Sequence, residues 1–202
     1  MFRHFRLGAG LARRAGESVD SSLVADGFQG IGVMSDTETG GVSVTTRAAR
    51  AEDEEFLFAL YASTRRDEMA VWGWPAAQQE MFLRMQYRAL QQRYAAERDL
   101  SDHRIILRDE VPVGRLLVVR SADEIRLADI ALLPEHRRLG IGAALIGGLQ
   151  DEAARRGLPL RLHVARDNHD AARLYQRLGF IIKGDTGSHF KMEWLPAAAS
   201  EL

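Results

Sequence analysis

The chain has 202 residues, 46% of them hydrophobic, and its 27 basic and 28 acidic residues leave a formal net charge of −1. That is apolar material for one sizeable core and too little length for two comfortable domains. The charge balance excludes a global field that would hold the chain on nucleic acid or an anionic membrane. The absence of cysteine excludes disulfides, thiolate metal sites and cysteinyl intermediates. No apolar run approaches the ~20 residues of a bilayer span, so the sequence reads as a cytoplasmic protein with no membrane, nucleic acid or metal among its partners.

Residues 1–41 have little apolar periodicity and are rich in Gly, Ser, Asp and Thr. Such a composition does not offset the entropy of ordering, and a disordered tail is expected. Arg3, Arg6, Arg13 and Arg14, with no acid before Glu17, faintly resemble a transit peptide, while Met34 offers a second start close to the first strand. From Val42 the pattern sharpens. Val42, Val44 and Thr46 alternate as a strand, and the acids Glu52 to Glu55 open a helix carrying Phe56, Leu57, Leu60 and Tyr61. Pro75 fits the first turn of a second, longer helix that keeps Phe82, Met85, Ala89 and Leu90 at helical spacing to about Arg98. Ile105–Leu107 and Val111–Val119 flank an Asp109-Glu110 turn as an antiparallel hairpin, and Ile125–Leu133 makes a fourth strand.

Further along, Ile141, Leu145, Leu149 and Ala153 mark one face of a helix stopped by Gly157 and Pro159. Leu158, Leu160, Leu162 and Val164 then alternate with Arg161, His163 and Ala165 as a strand. A helix capped by Asn168 or Asp167 carries Ala171, Leu174, Tyr175 and Leu178 and closes at Gly179. Phe180–Lys183 and Ser188–Trp194 form two last strands around the Gly184–Gly187 turn. One domain is thus expected over 42–196, with 197–202 as a short C-terminal tail.

The chemistry concentrates where the fourth strand ends. Leu132-Leu133-Pro134 is followed by Glu135-His136-Arg137-Arg138-Leu139-Gly140-Ile141-Gly142-Ala143 and a helix. Main-chain N–H groups at a helix N-terminus lack internal partners and carry partial positive charge, so they can bind a pyrophosphate. Gly140 and Gly142 keep Cβ atoms out of the way, and Arg137 and Arg138 add cationic reach. A glycine-containing helix start beside surface arginines can equally be structural. A second pattern follows one helix and one strand later, where Asn168, Ala171, Leu174, Tyr175, Gly179 and Phe180 run as N-x-x-A-x-x-L-Y-x-x-x-G-F. Each of these also has a plain reading: an N-cap, a close-packing position, a core residue, a C′ glycine.

Together, L-P-E-H-R-R-L-G-I-G-A-A-L and N-H-D-A-A-R-L-Y-Q-R-L-G-F resemble the acetyl-CoA site of GNAT N-acetyltransferases, over Val42 to about Leu195. The resemblance implies an α+β acyl-CoA N-acyltransferase fold, a splayed mixed sheet of about seven strands flanked by about four helices. It implies that Arg137, Arg138, Leu139, Gly140, Ile141, Gly142 and Ala143 cradle the CoA pyrophosphate. Main-chain groups of Ile130, Ala131 and Leu132 would pair with the pantetheine arm, which Asn168 also contacts beside Ala171. Arg173 would reach the adenosine end and Tyr175 the thioester sulfur. The implied reaction is direct attack of an unprotonated amine on acetyl-CoA, with the Ile130 N–H stabilising the oxyanion and Tyr175 protonating the leaving thiolate. Relatives often carry a glutamate on the fourth strand that acts on the amine. Here that strand reads Glu124-Ile125-Arg126-Leu127-Ala128-Asp129-Ile130, and by period two Asp129 lies on the far face unless a bulge re-aims it. His163 is another candidate, read more simply as a satisfied rim histidine.

In this family the acceptor side is formed by the segment between the first two helices. Arg65, Arg66, Glu68, Trp72 and Trp74 would line it, the tryptophans as an apolar wall and the arginines as carboxylate binders. The plain alternative is that the tryptophans cover the core and the charges are solvated. The partner is then an amine on a small molecule or a protein, and the resemblance also admits a homodimer. A dinucleotide-binding βαβ unit is disfavoured, because Leu145 occupies its third glycine position and the loop before Gly140 is long. The missing base keeps open a module of the same fold that binds acyl-CoA without turnover.

Overall fold

The computed structural model describes residues 43–65, 69, 71–95 and 101–197. The expected N-terminal tail lies outside them, as do Val42, the end of the second helix near Arg98 and all but the first residue of the C-terminal tail. The elements are β1 (Val44–Ala48), a 3₁₀ turn (Ala51–Asp53), α1 (Glu54–Ser63), α2 (Ala76–Ala95), β2 (Ser101–Arg108), β3 (Val111–Arg120) and β4 (Ile125–Leu132). A second 3₁₀ turn (Pro134–His136), α3 (Ile141–Arg156), β5 (Leu160–Ala165), α4 (His169–Arg177), β6 (Ile181–Asp185) and β7 (His189–Trp194) follow. Among the described residues no helix is long and apolar enough to cross a membrane.

Local chemistry accounts for the joints. Asp109 and Glu110 both adopt positive φ, 49° and 66°, the geometry a tight two-residue hairpin requires. At the end of α3, Gly157 sits at φ 63° and passes its N–H to the Ala154 carbonyl, while the Leu158 N–H reaches Ala153. This Schellman closure uses Leu158 to seal the helix, so β5 begins at Leu160, two residues later than the alternation alone suggests.

The seven strands form one sheet in the order β1-β2-β3-β4-β5-β7-β6, and β4 with β5 is its parallel pair. Two apolar cores lie on its opposite faces. α3 and α4 cover one, packing Ile141, Leu145, Ile146 and Leu149 onto Leu116, Val118, Leu127 and Leu162. α1 and α2 cover the other through Leu57, Phe58, Tyr61, Leu83 and Tyr87 against Ile105. Two buried carboxylates brace this frame. Glu152 of α3 takes Nε and Nη2 of Arg120 at 2.8 and 2.9 Å. Asp53, 5% exposed, takes Arg47 at 2.6 and 2.7 Å and the Arg50 N–H at 2.8 Å, joining β1 to the start of α1.

The Arg47 guanidinium, hydrogen-bonded to Asp53, overrides burial and holds its carboxyl down at about 2, from 3.8. The stability this contributes is complete above the unfolded value and is lost as pH falls from near 4 towards 2. Asp53→Asn should therefore cost about 2 kcal/mol at neutral pH and flatten the acid limb of the stability curve. Denaturant titrations at pH 7 and pH 3 check this; an unchanged pH dependence would refute it.

Candidate functional site

Two irregularities in β4 create the site. The first is a bulge: Leu117 pairs with Asp129 and Val118 with Leu127, so Ala128 is an extra residue against β3. The second is a split: β4 and β5 pair at Ile125, Arg126 and Leu127 with Leu160, Arg161 and Leu162, and no further. Beyond Leu127 the two strands part. Leu133 donates its N–H to the Val113 carbonyl at 2.9 Å, which sets the antiparallel alternation. Ala131 turns its main-chain groups to β3, and Ile130 and Leu132 turn theirs away from β3, into the split. Of the three residues expected to meet a pantetheine arm, two therefore present main-chain groups to the split. The Leu132 carbonyl already accepts from Nε of Arg137 at 2.9 Å, which folds that side chain back over the strand end.

The loop after β4 leads straight into α3. Ala144 is the first residue whose N–H returns to this helix end, reaching the Gly140 carbonyl at 3.0 Å, and no side chain caps the terminus. The N–H groups of Ile141, Gly142 and Ala143 thus face outward without helix partners. Gly140 holds φ 80° and Arg138 φ 62°, turning the chain so that these amides are presented. A Cβ on Gly140 would meet nothing within 4 Å, and one on Gly142 only Leu174 Cδ2 at 3.8 Å. This open approach to unpartnered amides, flanked by exposed Arg138 and Leu139, fits a pyrophosphate group.

α4 closes the same side of the split. Asn168 is its N-cap, with Oδ1 accepting from the Ala171 N–H at 3.1 Å. Ala171 packs on the core, and the exposed Arg173 pairs with Asp170. Tyr175 is buried with its ring 5.8 Å from that of Phe180. Burial, and then the negative charge of Asp129, push its hydroxyl up to about 12.

Asp129 is on the α1 and α2 face of the sheet because of the bulge. Leu127 faces the α3 and α4 core; with Ala128 extruded, Ile130 resumes that face and Asp129 turns to the other, in register with Leu117. Its Oδ2 accepts from both Nε and Nη2 of Arg115 at 2.8 and 2.6 Å, leaving Oδ1 without a partner among the described residues. Arg115 is 6% exposed. His103 stands in the same row of β2, in register with Leu117. Its Nε2 is buried without a partner among the described residues, and burial followed by Arg115 pushes the imidazole down against the pull of Asp129. Arg115 and His103 escape the sequence reading. The one available signal was a lone charge in the apolar run Val113 to Val119.

Trp72 and Trp74 form an aromatic knot with Phe82, ring centroids 4.9 to 5.5 Å apart and edge to face. Trp74 leans on the α1 and α2 core, whereas Trp72 stays 42% exposed. Trp74 thus covers the core, and Trp72 is the more exposed of the pair. Arg65 lies over the Tyr61 ring at 5.5 Å; Arg66 and Glu68 fall outside the described residues. Among the described residues no three His, Asp or Glu side chains are grouped to hold a metal.

A sequence model of the acetyltransferase (GNAT) family matches residues 57–180, more than half of the chain. The chain belongs to this family. It is 44% identical over 59 residues to the ribosomal protein bS18-alanine N-acetyltransferase of Escherichia coli, a match covering 29% of this chain and 40% of that enzyme. The match therefore spans two fifths of the relative's length. The fold resembles the N-acetyltransferase PaiA from Thermoplasma acidophilum in complex with coenzyme A, with TM-score 0.58 and 22% identity over 76% of this chain and 99% of that one. It also resembles spermidine N-acetyltransferase from Vibrio cholerae in complex with CoA and spermine, with TM-score 0.52 and 20% identity over 75% and 95% of the two chains.

The space around Gly142 yields a direct test. Gly142→Val should fold with a melting temperature close to wild type, since valine and glycine have similar helix propensities, and should raise the acetyl-CoA Kd at least about tenfold by holding the phosphate off the amides. Calorimetry reads both, and unchanged affinity in a folded variant would remove this helix end from the cofactor site.

Proposed function

We propose that the protein is an N-acetyltransferase that moves the acetyl group of acetyl-CoA to a primary amine by direct attack in a ternary complex. One observation carries the reading: the Ile130 main chain opens into the β4–β5 split between Tyr175 on one side and Asp129 on the other. The main-chain amides of Ile141 to Ala143, with Arg138 beside them, hold the pyrophosphate of the donor, while Ile130 and Leu132 align its pantetheine arm. The acceptor's identity, small molecule or protein, homodimer formation and a cytoplasmic setting belong to the same proposal.

In this reading the amine approaches from the α1 and α2 side, where the free Oδ1 of Asp129 takes its proton, directly or through one water. The nitrogen lone pair forms the N–C bond, and the carbonyl oxygen gathers charge at the Ile130 N–H. The C–S bond then breaks. Tyr175 stays protonated throughout the working pH range because its hydroxyl titrates near 12. It is therefore always a donor, and a phenol so weakly acidic acts by hydrogen-bonding the departing sulfur until a proton arrives through water. Arg115 fixes the carboxylate so that one oxygen remains for the amine. The bulge weakens the reading of a CoA-binding module without turnover, which rested on the lack of a base on the acceptor face.

Two substitutions test the roles separately, after an amine screen with a free-thiol readout supplies an acceptor. Tyr175→Phe should leave the acetyl-CoA Kd near wild type and lower kcat by roughly 10²-fold or more. A raised Kd with intact kcat would reduce Tyr175 to a positioning residue. Asp129→Asn should cut kcat by roughly 10²–10³-fold without weakening acetyl-CoA binding; turnover close to wild type would take Asp129 out of the mechanism.

A further inference from the structure

The outer half of the sheet carries a second feature on the side from which the acceptor approaches. On β5 and β7 the residues facing away from α3 and α4 are Arg161 in register with Glu193, His163 with Lys191 and Ala165 with His189; Arg126 of β4 joins the first row beside Arg161. Arg161, His163 and Lys191 are exposed. Two acids of this face, Glu124 and Glu193, are engaged at its far end. Arg161 binds Glu124 at 2.8 Å and Glu193 at 2.7 Å, Lys183 reaches Glu193 at 3.6 Å, and Arg126 lies 3.8 Å from Glu124. Towards the split, Lys191 has no ion pair among the described residues. His163 is the first β5 residue beyond the last β4–β5 pair, so it stands at the root of the split, on the same sheet face as Asp129.

We propose that the acceptor amine carries a carboxylate, which binds to the surface made by His163, Lys191 and Arg126 while the amine faces Asp129. The proposal rests on the acetyltransfer reading above and names its substrate class. A carboxylate there would gain charge-assisted hydrogen bonds from Lys191 and His163, with Arg126 close by. The crowding of positive charge is independently visible in His163. After desolvation, Lys191, Arg126 and His189 push its imidazole down, and Glu124 opposes them. An incoming anion relieves that repulsion; a polyamine adds to it. The same chemistry has two sources, a free amino acid or a peptide N-terminus followed by an acidic residue.

Two matched pairs separate the sources: glycine against glycinamide, and C-terminally amidated Ala-Glu against Ala-Gln, with spermidine as the cationic control. A preference of about tenfold in kcat/KM for the carboxylate member is expected in one pair, the first assigning a free amino acid and the second a peptide. In the double variant His163→Asn with Lys191→Gln that ratio should fall to near one, its melting temperature verifying the fold. Equal rates within both pairs, spermidine outrunning all four, or a ratio that survives in the variant would overturn the proposal. Should none of these amines be acetylated, the surface is judged by binding alone. N-acetylglycine or amidated N-acetyl-Ala-Glu, titrated against their neutral amides, should move the His163 ring resonances in NMR and raise its titration midpoint. No response to either anion would overturn the proposal without reference to turnover.

Discussion

The split between β4 and β5 is the constraint on which the rest of the site depends. A strand whose main chain faces no neighbour carries unmet hydrogen-bonding groups, a cost that a continuous sheet avoids. Here β4 is held from its other edge. Leu132 and Ala131 lie in register with Gly114 and Arg115 of β3, and a Cβ on Gly114 would sit 2.4 Å from the Ala131 carbonyl oxygen, so the two backbones approach closely at this end. That close approach anchors the free arm of β4 while β5 diverges. Ile130 and Leu132 still pack their side chains on the α3 and α4 core, which leaves only their main chain for a ligand. The bulge at Ala128 acts at the same place and fixes which side chain β4 carries there on the other face.

Charge is then arranged around that opening at some expense in solvation. Burying Arg115 in an otherwise apolar strand gains little stability over a hydrophobic residue, because desolvation of an ion pair largely cancels its attraction. Its placement makes more sense as positioning. Two of its bonds go to one oxygen of Asp129, and a carboxylate fixed in this manner is already oriented for the role proposed for it. His103, buried beside the pair with an unpartnered Nε2, belongs to the same polar pocket beneath α1 and α2. The Tyr175 hydroxyl lies close enough on the other side to respond to the charge of Asp129. Asp129 and Tyr175 therefore lie on opposite faces of one sheet with β4 between them, which is the arrangement the proposed mechanism uses.

The sequence is most legible where chemistry and periodicity coincide. Gly140 and the α4 pattern are read correctly as elements because each residue has a local reason, a left-handed φ, a cap or a core face, that needs no knowledge of distant strands. The face of Asp129 is another matter. Ala128 is an ordinary strand residue, and nothing local announces that it will be extruded; the bulge follows from how β4 must register with β3 on one side and β5 on the other. Arg115 and His103 are invisible for the same reason, since their meaning lies in cross-strand neighbours 14 and more residues away. Arg137 reads as a phosphate ligand by spacing, yet its Nε is held by Leu132 five residues back. Trp72 and Trp74 are one motif in sequence and two roles in space.

A formal charge of −1 hides a strong internal separation. Positive charge stands at the start of α3, where amides and exposed Arg138 meet open space, and at Lys191 beside the neutral ring of His163 near the root of the split. Asp129 stands between them. On the proposed reading these regions lie on opposite faces with one carboxylate between them, so an anionic donor would be drawn to one face and an amine to the centre. Composition cannot reveal this, since the compensating acids Glu124, Glu193 and Glu152 are spent on arginines elsewhere in the fold. Because Glu124 and Glu193 are paired with Arg161 and Lys183, Lys191 is left without an ion pair among the described residues, so the field near the split is set in part by ion pairs at a distance from it.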